Sequence, residues 1–210
     1  MHINAVLDLD VVALEEDDSV TVMLEFAAPE QVQDAERSPH TAVIVLDRSG
    51  SMAGERLASA KGALTSLIDR LDDSDHFGLV VFDDEAQVAV PTNTVDALGR
   101  PAVKHVIAAI GPGGTTDLSS GYLRGLQEVR RVGTAGTLLV LSDGHANTGI
   151  TDPSVFRQMA AGAAAEAITT SSVGIGLDYD DLILSEMAIG GTGNHSFAEE
   201  ADSAAAAVAG

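Results

Sequence analysis

Two hydrophobic textures divide the chain. Over residues 3–12 and 19–27 apolar and polar positions alternate: Leu7, Leu9 and Val11 interleave with Asp8 and Asp10, and Val20, Val22, Leu24 and Phe26 repeat at period two. Alternation marks strands with one covered face. The polar stretch 14–19 between them predicts a turn, and so a β-hairpin. Residues 29–40, with Pro29, Pro39 and many polar groups, predict a linker.

From Thr41 the strand-like runs lose this alternation, over 42–46, 77–82, 137–141 and 169–175. A run without alternation suits a strand covered on both faces. Leu57, Leu64, Leu67, Ile68 and Leu71 predict a helix over 54–71. Further helices are expected over 95–110, 117–132, 154–167 and 180–189, and a short last strand over 195–197. Asp83, Asp84 and Glu85 form a tight turn between 79–82 and 87–90, which predicts one antiparallel hairpin at the sheet edge. The alternation of strand and helix argues for an α/β fold. Its sheet should be doubly wound and mostly parallel, with one antiparallel edge strand and helices on both faces. Two units are expected: an N-terminal hairpin and linker over 1–38, and the α/β domain over 39–210. The Ala-rich tail from Ser203 reads as a helix cut off partway.

Composition narrows function more than fold. Aromatics are 3% of 210 residues, so the core should be aliphatic. There are 32 acidic residues against 11 basic ones, a formal charge of −21. A surface this acidic repels phosphate backbones and concentrates cations, so nucleic acid is not an expected partner. The absence of cysteine excludes disulfide scaffolds, zinc thiolate sites and thiol catalysis. No apolar run approaches the ~18 residues that span a bilayer. The N-terminus also lacks the basic-then-apolar pattern of a signal peptide. No membrane partner is therefore expected. A cytoplasmic location is the default, with a piece trimmed from a longer protein as the alternative.

Candidate chemistry sits at the ends of the apolar runs. V-I-V-L-D-R-S-G-S (43–51) ends a strand in three side-chain oxygens, those of Asp47, Ser49 and Ser51. G-P-G-G-T-T-D (111–117) opens a helix with Thr115 and Thr116, and L-S-D-G (141–144) ends a strand at Asp143. In a doubly wound sheet such loops lie at the carboxyl edge, where ligands bind. Hard cations take oxygen ligands, and Mg²⁺ keeps a few protein oxygens plus water. Each loop alone has an ordinary explanation. Asp and Ser cap helices and turns, Thr116 could cap a helix starting at Asp117, and Asp143 could end a strand before Gly144. Three such loops in one chain make a metal site the stronger reading.

These motifs resemble those of the von Willebrand factor type A (VWA) family, in its bacterial and inter-alpha-trypsin-inhibitor-like branch. The D-R-S-G-S loop matches the family's D-x-S-x-S, G-G-T-T-D-L-S-S-G its threonine loop, and V-L-S-D-G its strand-end aspartate. F-G-L-V-V-F-D-D-E-A (77–86), G-I-G-L-D-Y-D (174–180) and H-S-F-A-E (195–199) look like its other elements, and the resemblance covers residues 40–200. It implies a VWA fold and an intact metal-ion-dependent adhesion site. Ser49 and Ser51 would bind Mg²⁺ through Oγ, and Asp47 and Asp143 directly or through water. Thr116 would be the fifth residue, with Thr115 as runner-up; Mn²⁺ or Ca²⁺ could stand in for Mg²⁺. One coordination position would remain for an acidic side chain of a protein partner, held by a charge-assisted bond. The function expected is a metal-dependent protein-binding module, not an enzyme. The alternatives are a metal-assisted phosphoester hydrolase and a structural module of a larger assembly.

Other chemistries fit less well. The 111–114 loop lacks the Gly-Lys-Ser/Thr of a nucleotide-binding P-loop. An aspartate-based phosphatase wants a second carboxylate two residues on, where Ser49 stands. Ser142, Asp143 and His145 crowd along the chain rather than converge from separate elements, as a hydrolytic triad does. Asp72, Asp73 and Asp75 are expected in a solvated loop, and Asp178, Asp180 and Asp181 at a helix N-terminus. His76, His105 and His195 are expected to be surface or packing residues.

Overall fold

The computed structural model describes residues 2–7, 22–27, 37–133, 135–143, 146–176 and 181–198. The chain divides into two compact units, Met1–Ser38 and Pro39–Gly210. In the first, strands β1 (His2–Leu7) and β2 (Val22–Ala27) pair antiparallel, with Ala5 opposite Leu24. The turn expected between them and the tail from Ser203 lie outside the described residues.

The second unit holds a six-stranded sheet. Its strands are β3 (Thr41–Asp47), β4 (His76–Phe82), β5 (Ala86–Thr94), β6 (Gly136–Ser142), β7 (Ile168–Ile175) and β8 (Thr192–Ala198), in the order β5-β4-β3-β6-β7-β8. Every neighbouring pair is parallel except β4 and β5, the antiparallel edge. β3 comes first in sequence, and the chain then winds outward to β4 on one side and β6 on the other. The carboxyl end of β3 is therefore the topological switch point, where such sheets bind ligands.

Helices α1 (Glu55–Arg70), α2 (Val95–Leu98) and α3 (Arg100–Ala109) cover one face. Helices α4 (Leu118–Arg130), α5 (Pro153–Ala165) and α6 (Asp181–Gly190) cover the other. β3 serves both cores by alternation. Ile44 and Leu46 pack with Leu57, Leu64 and Ile68 of α1, while Val43 and Val45 pack with Tyr122 and Leu126 of α4. Between Thr41 and Asp47 both faces of β3 are dry, which is why 42–46 reads as an unbroken apolar run. Among the described residues no helix is long and apolar enough to cross a membrane.

Two sequence-based expectations change. The single helix expected over 95–110 is two helices, because Gly99 stands between them at φ +73° and Pro101 lies in the first turn of the second. A left-handed glycine ends one helix and a proline favours the start of the next. Asp75, expected in a solvated loop, is instead fully buried. Its Oδ1 accepts from the His40 N–H (2.8 Å) and its Oδ2 from the Asp72 N–H (2.9 Å). These bonds tie the entry of β3 to the loop that leads into β4.

A second buried acid pins the edge strand. Oε2 of Glu128, on α4, accepts from the Thr92 N–H (3.0 Å), Thr92 Oγ1 (3.2 Å) and Arg131 Nη1 (2.9 Å). Burial pushes this carboxyl up, but the bonds from Thr92 and Arg131 outweigh it and hold it below its ordinary 4.5. With the folded value the lower one, its contribution to stability is present above pH 4.5 and is lost as pH falls through the folded value. Glu128→Ala strands the buried Thr92 amide and is expected to cost about 2 kcal/mol in urea unfolding at neutral pH. Glu128→Gln should cost less and flatten the acid limb of the stability profile.

Candidate metal centre

The carboxyl ends of β3 and β6 lie side by side, with Leu46 opposite Leu141. Asp47, Ser142 and Asp143, the next residues out, therefore share one edge. Ser142 Oγ donates to Asp47 Oδ2 across the pair (2.6 Å), and the Ser49 N–H donates to Asp47 Oδ1 (2.7 Å). The chain then tightens into a single 3-10 turn over Gly50–Met52. The Ser49 and Ser51 hydroxyls are 3.1 Å apart. Asp47, Ser49, Thr116 and Asp143 are each at most 1% exposed, whereas Ser51 is open to solvent.

The threonine loop is sewn to this turn. The Gly50 N–H donates to the Gly114 carbonyl (2.8 Å), and the Gly113 N–H to the Arg48 carbonyl (2.6 Å). Gly113 has no room for a side chain, since a Cβ there would fall 1.8 Å from Asp83 Oδ2. Asp83 in turn pairs with Arg48 (2.9 Å), and its carbonyl accepts from the Asp117 N–H (2.7 Å). Asp117, not Thr116, caps α4: its Oδ1 accepts from the Ser120 N–H (3.0 Å) and Ser119 Oγ (2.6 Å). Thr116 is thereby left out of the cap. Its carbonyl accepts from the Asn147 and Thr148 N–H groups (3.0 and 3.2 Å), which brings the loop after β6 against it. Thr115 is exposed. Gly144, His145, Asp178 and Asp180 lie outside the described residues.

Two buried carboxylates at adjacent strand ends disfavour each other's charge and lack water to stabilise it. Burial pushes Asp47 above its ordinary 3.8; hydrogen bonds from Ser142 and Ser49 pull it back, and the charge of Asp143 adds to the rise. Arg56, in the first turn of α1, brings a cation to Asp143. Its Nη1 lies 3.3 Å from Asp143 Oδ2 and 3.4 Å from the Ser51 carbonyl. No sequence motif singled out Arg56; its place emerges only when α1 is packed beside the end of β6.

The donors gathered here are hard oxygens. Among the described residues no group of three or more His, Asp or Glu side chains is placed to hold a metal, so a cation at this edge would take its remaining ligands from hydroxyls. Ser142, a nucleophile candidate on paper, is buried with its Oγ donated to Asp47. A second Ser–His–Asp string exists: His195 Nδ1 is 2.8 Å from Ser172 Oγ and His195 Nε2 is 2.8 Å from Asp181 Oδ1. Ser172 is also buried and donates to the Leu184 carbonyl (2.8 Å), so this string packs α6 onto β7 and β8.

Known proteins share this architecture. The family model of the von Willebrand factor type A domain matches residues 42–208. The uncharacterized protein sll0103 of Synechocystis sp. is 27% identical over 165 residues, 78% of this chain and 38% of that protein. Inter-alpha-trypsin inhibitor heavy chain H3 of Homo sapiens is 26% identical over 175 residues, 76% of this chain and 19% of that protein. The match thus spans well under half the length of these relatives. A von Willebrand factor type A structure from Catenulispora acidiphila superposes with a TM-score of 0.72 at 22% identity, over 90% of this chain and 43% of that one. Proximal thread matrix protein 1 of the mussel byssus, with a zinc-occupied MIDAS motif, superposes with a TM-score of 0.63 at 19% identity, over 81% and 44%. At such identities the shared property is the fold.

Proposed function

This chain belongs to the von Willebrand factor type A domain family, and from that premise we propose that it recognises an acidic side chain of a protein partner through a bound divalent cation. Domains of this family are generally protein-interaction modules rather than enzymes. The observation that carries the reading is the pair of buried carboxylates, Asp47 and Asp143, at adjacent strand ends, with the Ser49 and Ser51 hydroxyls 3.1 Å apart on the loop that Asp47 opens.

A divalent cation would reverse the electrostatic cost of burying both acids. Ser49, Ser51 and Thr116 would supply hydroxyl oxygens, and Asp47 and Asp143 carboxylates. Thr116 is preferred to Thr115 because it is buried and relieved of the capping role. An all-oxygen set suits Mg²⁺, with Mn²⁺ and Ca²⁺ as substitutes. The zinc-occupied motif of the mussel protein supports a divalent ion on this fold. When bound, the cation supplies an anchor for one further anionic oxygen, which an Asp or Glu of the partner fits. The function is assigned to residues 39–210, with 1–38 as a separate hairpin and linker.

The test is a random peptide library panned against the full chain in Mg²⁺ and in EDTA. Mg²⁺-dependent binders enriched in Asp or Glu, and lost on the Ser49→Ala/Ser51→Ala variant, are the expected result. Binders that persist in EDTA and on the double variant would sink the reading.

A further inference from the structure

We propose that Arg56 is an internal counter-ion of the metal centre, which a divalent cation has to displace and which therefore sets how tightly the site loads. The proposal rests on the metal reading above and adds to it a residue outside the five candidate ligands. Its guanidinium sits in a built seat. Gly176, just past β7, has φ +91°, and a Cβ there would stand 2.5 Å from Arg56 Nε and 2.9 Å from its Cζ. Glycine adopts that backbone conformation without strain, and the guanidinium packs against it. From this seat Nη1 reaches Asp143 Oδ2 at 3.3 Å and the Ser51 carbonyl at 3.4 Å, touching two residues of the candidate ligand set at once.

Two features make this pair exchangeable. At 3.3 Å it is longer than the ~2.7–2.9 Å of a tight charge-assisted bond. The Asp143 side chain is wholly buried while that of Arg56 is 30% exposed, so the arginine can leave toward solvent and the carboxylate cannot. A chain with 11 basic residues against 32 acidic ones has few cations to spend, and one of them is lodged here. Without a bound cation, Arg56 would be the counter-charge beside the Asp143 carboxylate. A dication arriving beside it meets a like charge at close range, and its affinity falls accordingly.

Mn²⁺ titrated calorimetrically into the full-length wild type, Arg56→Gln, Arg56→Lys and Ser49→Ala, with thermal melts of each in EDTA, tests this. Arg56→Gln is expected to bind Mn²⁺ about tenfold more tightly than wild type and to melt lower in EDTA. Arg56→Lys, which keeps the charge but not the planar fork, should stay near the wild-type affinity. Unchanged or weaker Mn²⁺ binding by Arg56→Gln, with binding lost in Ser49→Ala, overturns the role of Arg56 and leaves the metal centre standing. Equal tightening by Arg56→Lys overturns the charge argument. Absence of Mn²⁺ binding by the wild type overturns both.

Discussion

Asp47→Asn is expected to weaken Mn²⁺ binding at least about a hundredfold while leaving the metal-free fold as stable as wild type, or more so. The two effects have opposite signs because Asp47 answers to two demands. As a carboxylate it is suited to a cation; as a buried acid at the end of β3 it is a liability without one. The amide is nearly isosteric. Its oxygen can accept from the Ser49 N–H and its NH₂ can donate to Ser142 Oγ, so both existing bonds have a replacement. The pH dependence follows from the direction of the shift. Burial raises the folded value of Asp47 above its ordinary 3.8, so the folded state holds this proton to higher pH than the unfolded chain. Metal-free stability should therefore fall as pH rises from 3.8 through the folded value, and Asp47→Asn should remove that fall. Calorimetric titration with Mn²⁺ and thermal melts in EDTA across pH read both effects. A variant that binds Mn²⁺ as wild type does would reduce Asp47 to a strand-end cap.

Much of the architecture was legible in the residues because local pattern and burial agree. β3 is apolar at every position from Ala42 to Leu46 because each face of it meets a different core. The acidic turn at Asp83–Glu85 could only reverse the chain, and it makes the antiparallel edge. The three oxygen-bearing loops follow strands or precede a helix, and the doubly wound topology carries such positions to one edge without further information. What escaped depends on partners distant in sequence. Asp75 looks like its neighbours Asp72 and Asp73, and only the approach of the His40 backbone makes it a buried acceptor. Gly99 lies in a stretch whose helical periodicity runs on past it, so the break shows only in its positive φ. Arg56 is one basic residue at the start of an amphipathic helix. Its contact with Asp143, 87 positions away, exists only in the assembled sheet edge.

The same substitution, glycine to alanine, should have opposite effects on two helices of this domain. Gly62 on α1 is exposed and a Cβ there meets nothing within 4 Å. Gly62→Ala is expected to stabilise by about 0.5–1 kcal/mol, through reduced freedom of the unfolded chain and better helix propensity. Gly125 on α4 faces the sheet, where a Cβ would stand 2.4 Å from Val45 Cγ2 and 2.7 Å from Leu138 Cδ1. There the same gain in propensity is set against overpacking of about 1–3 kcal/mol, so Gly125→Ala should be net destabilising. Gly125→Val, which adds two more carbons and a β-branch, should cost about 3 kcal/mol or more. Urea unfolding of the three variants checks the order. Gly121, one turn earlier, is equally tight, with Phe82 Cγ 2.6 Å from its would-be Cβ, so α4 lies on the sheet by backbone contact along its first half. That closeness bears on the site as well as on stability. Thr116 stands two residues before the first residue of α4, and Asp117 links the helix cap to the Asp83 carbonyl. A helix lifted off β3 and β6 carries Thr116 away from Asp47 and Asp143. Gly125→Ala, which retains the fold, should therefore weaken Mn²⁺ binding as well as stability, and Gly62→Ala should leave Mn²⁺ affinity unchanged.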